Sequence, residues 1–586
     1  MQAARTQLFV LLVGAGLGLP GSASAAPVKL FEQAPVTIRE VAPGVVLVDF
    51  GRVAFGNVLL RTPATAGSVT VHFGEKLDRG RIDRKPPGTV RYGRAEVDLA
   101  EGRTLVVAPP ADRRNTEHPA AVRTPTEWGV VLPFRWIELE GWPGALRPEV
   151  VSRRAAFAAT WDDEAAAFSS SDSVLDRVFD LCRYSIKATT FAGVYVDGDR
   201  ERIAYEADAY LNQLSHYAVD PDVQMARDTF DRLAAFPTWP TEWASHMVFI
   251  AHADFVQTGD LAWLLPRYES LRRRLLLDRA RADGLLVSTE AQMSKGDIVD
   301  WPPGERDGFV FRPVNTVVNA FHLRSLTLVA ELAEALGRHT EAREYRDRER
   351  SARRAFQEKL FDPARGLYRD GEGTEHASLH ASLFPLAFGL VPESARKGVV
   401  EWVAGRGMAC SVYAAQYLLE ALFEHGEDRK ALALLTAPTD RSWRHMLDSG
   451  ATITWEAWDL KYKPNMDWNH AWGAAPANLL PRFVLGVRPG APGWARVEVR
   501  PHPGGLARAA GRMPTPRGPV AVRWESGERF RLELVLPPGT PASVHLPAAE
   551  GTRGVWSDGR PVAAVRDGAW WTLARDVAGS VRLEVR

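Results

Sequence analysis

Residues 171–190, SDSVLDRVFDLCRYSIKATT, are the stretch in which the periodicity of the chain changes. Their apolar side chains follow the i, i+3, i+4, i+7 spacing of an amphipathic helix; they are Val174, Leu175, Val178, Phe179, Leu181 and Cys182. About a dozen helix-like segments follow over roughly 310 residues, joined by short turns of Gly, Pro and Asp. Such a succession of paired helices without a strict repeat predicts a closed double ring of six hairpins, an (α/α)6 toroid, rather than an open solenoid.

Both flanks of this helical region alternate between apolar and polar residues, as β-strands do. Before it, the clearest examples are VVLVDFG at 45–51, SVTVHFGEKL at 68–77 and FRWIELEGW at 134–142. After it, ARVEVRPH at 495–502 and VAVRWE at 520–525 follow the same pattern. We therefore predict a multidomain α+β chain with a signal peptide at residues 1–25, an N-terminal β-sandwich at 26–165, the (α/α)6 domain at 166–484 and a C-terminal β-sandwich at 485–586.

The first residues have the composition of an export signal. Arg5 supplies a positive charge, an apolar run begins at Leu8, and Ala23-Ser24-Ala25 is an A-x-A cleavage pattern. The apolar run is too short to cross a bilayer. We therefore expect a periplasmic or secreted protein without membrane insertion.

The composition favours a neutral substrate. The 72 Lys and Arg residues balance the 72 Asp and Glu residues, so the chain offers no net attraction to nucleic acid or an anionic membrane. Its 19 Trp residues include enough indole surface to pack on sugar rings, although we expect most of them in the core. Cys182 and Cys410 lie in helix-like apolar runs, where we expect unpaired buried thiols rather than a disulfide.

Residues 194–217, VYVDGDRERIAYEADAYLNQLSHY, crowd charged side chains where a loop meets a helix. If the helix begins near Ile203, residues 197–202 form the loop at its N-terminus. Crowded carboxylates raise the pKa of one another while arginines keep others ionised, and a catalytic site uses this to hold one acid protonated. A solvated helix cap with local salt bridges is the alternative interpretation.

Residues 449–476, SGATITWEAWDLKYKPNMDWNHAWGAAP, frame Glu456 with two tryptophans and place His470 among two more. Aromatic walls with a few polar groups are typical of sugar sites. Glycoside hydrolysis needs one carboxylic acid to protonate the leaving oxygen and one carboxylate to attack or to activate water. Glu201 and Glu456 could form that pair only if a closed ring brings the early and late helices together, and sequence spacing does not decide between inversion and retention.

Two shorter segments are weaker candidates. KGDIVDWPPGERDGF at 295–309 contains Asp300 and Trp301 beside a Pro-Pro turn, and an ordinary surface loop would look the same. PTWPTEWASHM at 237–247 contains Trp239 and Trp243. We expect Trp239 to pack within a hairpin rather than to contact sugar.

These motifs resemble those of the α-L-rhamnosidases of glycoside hydrolase family 78. ERIAYEAD at 201–208 is similar to E-R-x-x-aromatic-x-x-D of the family's acidic signature, and GATITWEAWD at 450–459 is similar to its late motif G-A-T-T-x-W-E-R-W-D. The flanking segments LPFRWIELEGWPG at 132–144 and PGWARVEVRPHPGG at 492–505 resemble the family's β domains. The first motif departs from the family, because the Cys-Pro pair is absent and Gly-Trp is replaced by Ala204-Tyr205, which alters the expected wall around the sugar.

The resemblance implies an anomer-inverting exo-hydrolase that releases terminal α-L-rhamnose, with Glu201 as general acid and Glu456 as general base. It implies substrate contacts by Asp197, Arg200, Tyr205, Asp208, Trp243, Asp300, Trp301 and His470. It implies no required metal or other cofactor, and a small-molecule or oligosaccharide substrate that bears terminal rhamnose. The alternatives are a related toroid glycosidase for another deoxy sugar or a rhamnosyl-uronic acid unit, a catalytically silent carbohydrate-binding protein and, less favoured, a polysaccharide lyase.

Overall fold

The computed structural model describes residues 27–62, 67–99 and 102–586, and the predicted signal peptide at residues 1–25 lies outside the described residues. A β region, a helical region and a second β region follow one another along the chain. Within the described ranges, no helix is both long enough and apolar enough to cross a membrane.

Among the described residues, the N-terminal β region forms a hydrogen-bonded sheet of eight strands. Its long strand, Val45–Arg61, pairs with four others, and its pairing with Leu132–Glu140 shifts register between Asp49 and Ala54. The strands are Val28–Gln33, Thr37–Ala42, Val45–Arg61, Gly67–Gly74, Tyr92–Leu99, Thr104–Val107, Leu132–Glu140 and Val151–Ala158. A short hairpin of Leu77–Asp78 with Arg81–Ile82 and a one-turn helix, Arg113–Thr116, complete this region.

The helical region has a layered organisation that its sequence explains. Most side chains of Thr316–Ala335 are apolar, and the helix is buried along most of its length. His339–Leu360 packs against it but carries charges on most sides and buries a single stripe that includes Tyr345 and Phe356. A helix that is apolar on every side belongs in the interior, whereas a one-sided helix covers it.

The α-helices of this region are Ser173–Thr189, Glu206–Val219, Gln224–Ala235, His246–Thr258, Leu261–Leu264, Tyr268–Arg272, Glu290–Lys295, Thr316–Ala335, His339–Leu360, Leu379–Ala387, Glu393–Arg406, Val412–Glu424, Asp428–Leu435, Trp443–Asp448 and Pro476–Leu479. The inner helices contact one another in chain order, and they are Glu206–Val219, His246–Thr258, Thr316–Ala335, Leu379–Ala387 and Val412–Glu424. The late segment Ala471–Ala474 packs against both the last and the first of them. The beginning and the end of the helical region therefore meet, which brings the two acidic segments of the sequence together.

The C-terminal β region contains a seven-stranded and a five-stranded sheet. The seven-stranded sheet consists, in spatial order, of Ala167–Ser170, Arg508–Met513, Val520–Ser526, Phe530–Val535, Ser580–Val585, Val555–Ser557 and Arg560–Val562. The five-stranded sheet consists of Val487–Pro489, Val497–Val499, Ala542–Pro547, Trp570–Leu573 and Ala564–Asp567. Ala167–Ser170 precedes the first helix in sequence, so the chain passes through the C-terminal sheet before it enters the helical region.

The two cysteines confirm the expectation of unpaired thiols. Cys182 and Cys410 are both free and buried. Burial raises the pKa of each thiol well above its usual value, so both side chains act as small apolar groups in the core.

Candidate active site

A cavity of about 270 Å³ opens between the loop that precedes helix Glu206–Val219 and the loops that follow helix Trp443–Asp448. Its volume is near the lower end of ligand pockets, about 300–1,000 Å³, and matches one sugar unit better than an oligosaccharide. The wall is formed by Asp197, Arg200, Glu201, Tyr205, Asp208, Trp239, Trp243, Ile298, Trp301, Glu456, Lys463, Asn465, His470 and Trp472. All the site residues predicted from the sequence line this cavity except Asp300.

The first acidic loop is closed by its own hydrogen bonds. The Asp197 backbone N–H donates to the Ile203 carbonyl at 2.8 Å, and the Ile203 N–H donates to the Asp197 carboxylate at 2.9 Å. Gly198 has a φ of +118°, and a Cβ there would lie 2.9 Å from the Asp467 carboxylate, so only glycine fits. The helix begins at Glu206 rather than near Ile203, because the backbone of Ile203 is engaged in closing the loop.

The second loop presents Glu456 from a buried position. The Glu456 N–H donates to the Asp467 carbonyl at 3.0 Å, and the Asp467 N–H donates back to Glu456 Oε2 at 3.1 Å. The Trp472 indole N–H donates to the Glu456 carbonyl at 3.1 Å. Glu456 is only 3% exposed, and these bonds fix both its backbone and its carboxylate.

One guanidinium joins the two glutamates. Arg200 Nε donates to Glu201 Oε1 at 3.1 Å, and Arg200 Nη1 donates to Glu456 Oε2 at 3.1 Å. Because a guanidinium is small and planar, this sharing limits the separation of the two carboxylates to about 9 Å at most. The two carboxylates therefore face the same cavity although they lie far apart in sequence.

A second cation also contacts Glu456. Lys463 Nζ lies 3.2 Å from Glu456 Oε1 and donates to the Asn465 side-chain oxygen at 2.8 Å. The same ammonium lies 5.9 Å from the ring centre of Trp301, within reach of a cation–π interaction. Lys463 thus links the late loop to the wall that Trp301 supplies.

The positive charges around Glu456 lower its pKa more than its burial raises it. Burial alone would raise the pKa of Glu456, but the charges of His470, Arg200 and Lys463 lower it below the ordinary value. Burial, the main cause, raises the pKa of the neighbouring Asp467 to about 6 in spite of the Arg200 charge. Glu456 is therefore the more acidic carboxyl of the two and is ionised at neutral pH, as a general base must be.

In the other carboxyl pair, Glu201 and Asp197, the two pKa values shift in opposite directions. Burial would raise the pKa of Glu201, but the charge and the hydrogen bond of Arg200, with a hydrogen bond to Asp197, lower it. Burial and the negative charges of Glu201 and Asp208 raise the pKa of Asp197 well above the ordinary value. The carboxyl of this pair that holds a proton more strongly is thus Asp197 rather than Glu201.

Aromatic side chains form much of the remaining wall. Tyr205 and Trp243 pack edge to face with ring centres 5.7 Å apart, and His470 packs against Trp472 with ring centres 4.5 Å apart. His470 Nε2 also forms a 2.6 Å hydrogen bond with Asp208. Trp239 differs from the expectation of simple hairpin packing, because it lines the cavity and remains 53% exposed.

Asp300 lies behind the wall rather than on it. The carboxylate is fully buried, forms a 2.6 Å hydrogen bond with His380, and accepts hydrogen bonds from the backbone N–H and the hydroxyl of Ser411. It also accepts the Trp301 backbone N–H at 2.8 Å. Its geometry supports the Trp301 segment and does not allow the direct sugar contact that the resemblance implies.

Sequence reasoning missed Lys463, Asn465 and Asp467. All three lie within the Trp-rich stretch 449–476, and the alternation of polar or charged residues with apolar ones in KPNMD was the available signal. Glu456, Asp467 and His470 could geometrically share a metal ion, with ligand atoms within 4.8 Å of one another. Because two cations already contact Glu456, a divalent ion there would face strong repulsion.

Three family models match successive parts of the chain. They are the bacterial alpha-L-rhamnosidase concanavalin-like domain at residues 39–157, the six-hairpin glycosidase domain at 163–484 and the C-terminal domain at 486–560. The order of a helical domain between two β domains, predicted from the sequence, is confirmed.

Curated relatives are similar but longer. The alpha-L-rhamnosidase of Streptomyces avermitilis is 24% identical over 567 residues, which cover 89% of this chain and 50% of that protein. That of an Alteromonas species is 24% identical over 554 residues, covering 86% of this chain and 56% of the relative. The chain thus spans about half the length of these curated relatives.

Solved structures share the fold. The alpha-L-rhamnosidase from Dictyoglumus thermophilum has a TM-score of 0.80 and 18% identity, over 96% of this chain and 64% of that one. The Streptomyces avermitilis enzyme complexed with L-rhamnose has a TM-score of 0.77 and 21% identity, over 96% and 54%. Since the six-hairpin model alone spans more than half of the residues, the chain belongs to the bacterial α-L-rhamnosidases of glycoside hydrolase family 78.

Proposed function

We propose that this chain is an exo-acting glycoside hydrolase that releases terminal α-L-rhamnose, with Glu201 as general acid and Glu456 as general base. The observation that carries the proposal is the contact of both glutamates with the guanidinium of Arg200 across one aromatic-walled cavity. Glycosidases need such a carboxyl pair on opposite sides of the bond that breaks. The relatives named alpha-L-rhamnosidase support rhamnose as the sugar.

The stereochemical course we propose is inversion. Inverting enzymes hold their carboxyl groups about 6.5–9.5 Å apart so that water fits between the base and the sugar. The upper limit set by Arg200 leaves room for most of this range, and the lowered pKa of Glu456 keeps the base ionised. Glu456 would take a proton from the attacking water while Glu201 protonates the leaving oxygen.

The acid needs a proton that Glu201 does not hold in its ground state. Asp197, whose pKa is raised by burial and by neighbouring carboxylates and which is hydrogen-bonded to Glu201, would supply that proton. We propose that the proton moves from Asp197 to Glu201 within the pair. Glu201 then becomes protonated without proton exchange with solvent. Titration would then report on the pair rather than on either carboxyl alone.

The remaining wall residues would bind and enclose the sugar. Asp208 and His470 offer hydrogen-bonding groups, whereas Tyr205, Trp243 and Trp301 supply aromatic faces. The cavity volume suits one terminal sugar. We further propose that the six hairpins close into a toroid, that the flanking domains are sandwiches, and that the enzyme acts in the periplasm or outside the cell without a cofactor.

The test uses 4-nitrophenyl α-L-rhamnoside and two conservative substitutions. Glu201→Gln and Glu456→Gln should each lower kcat/KM by about 10²–10⁴, the usual contribution of an acid or base. Glu420→Gln is the matched control, because Glu420 pairs with Arg482 and does not line the cavity. Losses below about tenfold in both variants would discard the two-glutamate assignment.

Product analysis separates the proposal from its alternatives. Inversion of an α-rhamnoside gives β-rhamnose first, which NMR detects before mutarotation. Release of a different sugar from a panel of chromogenic glycosides would favour the related glycosidase. Binding of rhamnosides without any released sugar would instead identify a silent binding protein.

A further inference from the structure

The N-terminal β region reaches both catalytic loops through a closed circuit of hydrogen bonds, which we name the interdomain ring: Glu75, Arg91, Asp199 and Asn469. Glu75 accepts the Arg91 backbone N–H at 2.6 Å and the Asn469 side-chain amide at 3.0 Å. The Asn469 side-chain oxygen accepts the Asp199 N–H at 2.8 Å. The Arg91 side chain closes the circuit by donating to the carboxylate and the carbonyl of Asp199.

The interdomain ring is buried and costly to form. Glu75, Asp199 and Asn469 are each at most 4% exposed, and Arg91 has a second carboxylate partner in Asp112. Burying charged groups is unfavourable unless each is paired and hydrogen-bonded. A mere contact between two domains could be built from apolar side chains, so the polar arrangement needs another reason.

One side of the ring fixes the loop that carries the acid. Asp199 precedes Glu201 by two positions, and its carboxylate also accepts two hydrogen bonds from Arg202 at 2.6 and 3.0 Å. Arg91 is therefore one of the groups that fix the backbone between Asp199 and Glu201, together with Arg202 and Asn469. Arg200, which contacts both glutamates, belongs to the same short segment.

A separate contact fixes the loop that carries the base. The Thr89 hydroxyl donates to the Asp467 carboxylate and contacts the Met466 carbonyl at 3.0 Å. The Asp467 carbonyl in turn accepts the Glu456 backbone N–H, and the Asp467 N–H donates to the Glu456 carboxylate. Gly88 packs so closely on this loop that a Cβ would lie 3.1 Å from the Pro464 carbonyl.

We propose that Arg91 and Thr89 of the N-terminal β region are positioning residues for the reaction, Arg91 for the acid Glu201 and Thr89 for the base Glu456. The N-terminal region is then part of the catalytic unit and not only a covering domain. This inference rests on the proposed function. Misplacement of a catalytic group by about 1 Å can cost 10²-fold in rate, so loss of either contact should be measurable.

The two roles differ in how they respond to the leaving group. A good leaving group such as 2,4-dinitrophenolate needs little protonation, whereas phenolate needs the acid. Arg91→Lys keeps the charge but loses the forked donors. It should lower kcat/KM about 10–100-fold on phenyl α-L-rhamnoside and less than about threefold on the 2,4-dinitrophenyl substrate.

Thr89→Val should behave differently, because the base acts on water whatever the leaving group. We expect about tenfold losses of kcat on both substrates, with Thr89→Ser restoring most of the activity. Glu201→Gln calibrates the acid-type response. Arg52→Lys is the matched control, since Arg52 pairs with Asp180 across the same two regions at 2.6 Å but away from the cavity.

The inference is supported if Arg91→Lys loses activity mainly on the phenyl substrate, Thr89→Val loses activity on both substrates, and both variants melt like the Arg52→Lys control. Equal losses on both substrates for Arg91→Lys, or losses no larger than those of the control, would overturn the role of Arg91. Full activity of Thr89→Val would overturn the role of Thr89 independently. Failure of the unsubstituted chain to release rhamnose from either substrate would overturn the proposed function itself, a result distinguishable from all of these.

Discussion

Replacement of Lys463 by methionine should move the acidic limb of the pH–activity profile. Methionine has a similar length and no charge, so Lys463→Met removes one of the two cations that directly contact the Glu456 carboxylate and leaves Arg200 in place. The general base works only when ionised. Because Lys463 lowers the pKa of Glu456, its loss must raise that pKa, and the activity should fall at low pH first.

The size of the effect follows from the geometry. The two charges are 3.2 Å apart and their side chains are 6% and 3% exposed, so solvent screens them little. At an effective dielectric constant of about 20 the attraction is about 5 kcal/mol before desolvation is subtracted. Opposite charges in such contact shift carboxyl titrations by about 1–3 units in practice, and the acidic limb should move to higher pH by that amount.

The assay is kcat/KM for 4-nitrophenyl α-L-rhamnoside from pH 4 to 8, with thermal melting at each pH to exclude unfolding. Lys461→Met is the matched control, because Lys461 lies in the same loop but pairs with Asp440. The control should leave the limb in place. A limb that stays unchanged in folded Lys463→Met, or that moves equally in the control, would refute the electrostatic role of Lys463.

Three further outcomes can be checked. Burial raises the pKa of Glu75 from its usual 4.5 to about 8, so the contribution of Glu75 to stability is present below pH 4.5 and is lost as the pH rises towards 8. Glu75→Gln should therefore flatten the profile of melting temperature against pH between these values. An unchanged slope in this variant would contradict the prediction. Trp239→Ala should raise KM for rhamnosides with large aglycones about tenfold with little change in melting temperature, because the indole is half exposed at the cavity. Equal KM values for the variant and the unsubstituted protein would rule out an aglycone contact. Asp300→Ala should lower the free energy of unfolding by about 3–5 kcal/mol, since it leaves His380 and Ser411 without their buried partner. A loss of less than about 1 kcal/mol, measured by chemical denaturation, would be inconsistent with this prediction.

Much of the architecture could be predicted because it depends on local periodicity. The helix Ser173–Thr189 follows from spacing within its own residues, with Asp172 capping it through the Val174 and Leu175 N–H groups. The strands around residues 45–51 and 134–142 alternate in the same local way. Glu201 and Glu456 could be selected as candidates as well, since each lies in a short, recognisable motif, and both line the cavity.

The contacts of those glutamates could not be predicted, because each involves residues far away in the chain. Arg200 meets Glu456 across 256 positions, and Asn469 meets Glu75 across 394. The family resemblance implies a sugar contact for Asp300, but its carboxylate turns towards His380 and Ser411. Periodicity describes how one segment repeats, whereas such contacts depend on how separate segments are brought together.

The amino-acid order alone thus determines which segments are helices and strands, and which carboxyls are available for chemistry, because hydrogen bonding and side-chain period act over a few residues. The opposite pKa shifts of Asp197 and Glu201 depend on the tertiary structure alone, through the burial and neighbours of the two carboxyls. The contact of Arg91, from the N-terminal β region, with Asp199 likewise depends on the tertiary structure. Electrostatic energies depend on distance in space and on burial, and neither quantity is written in the order of the residues.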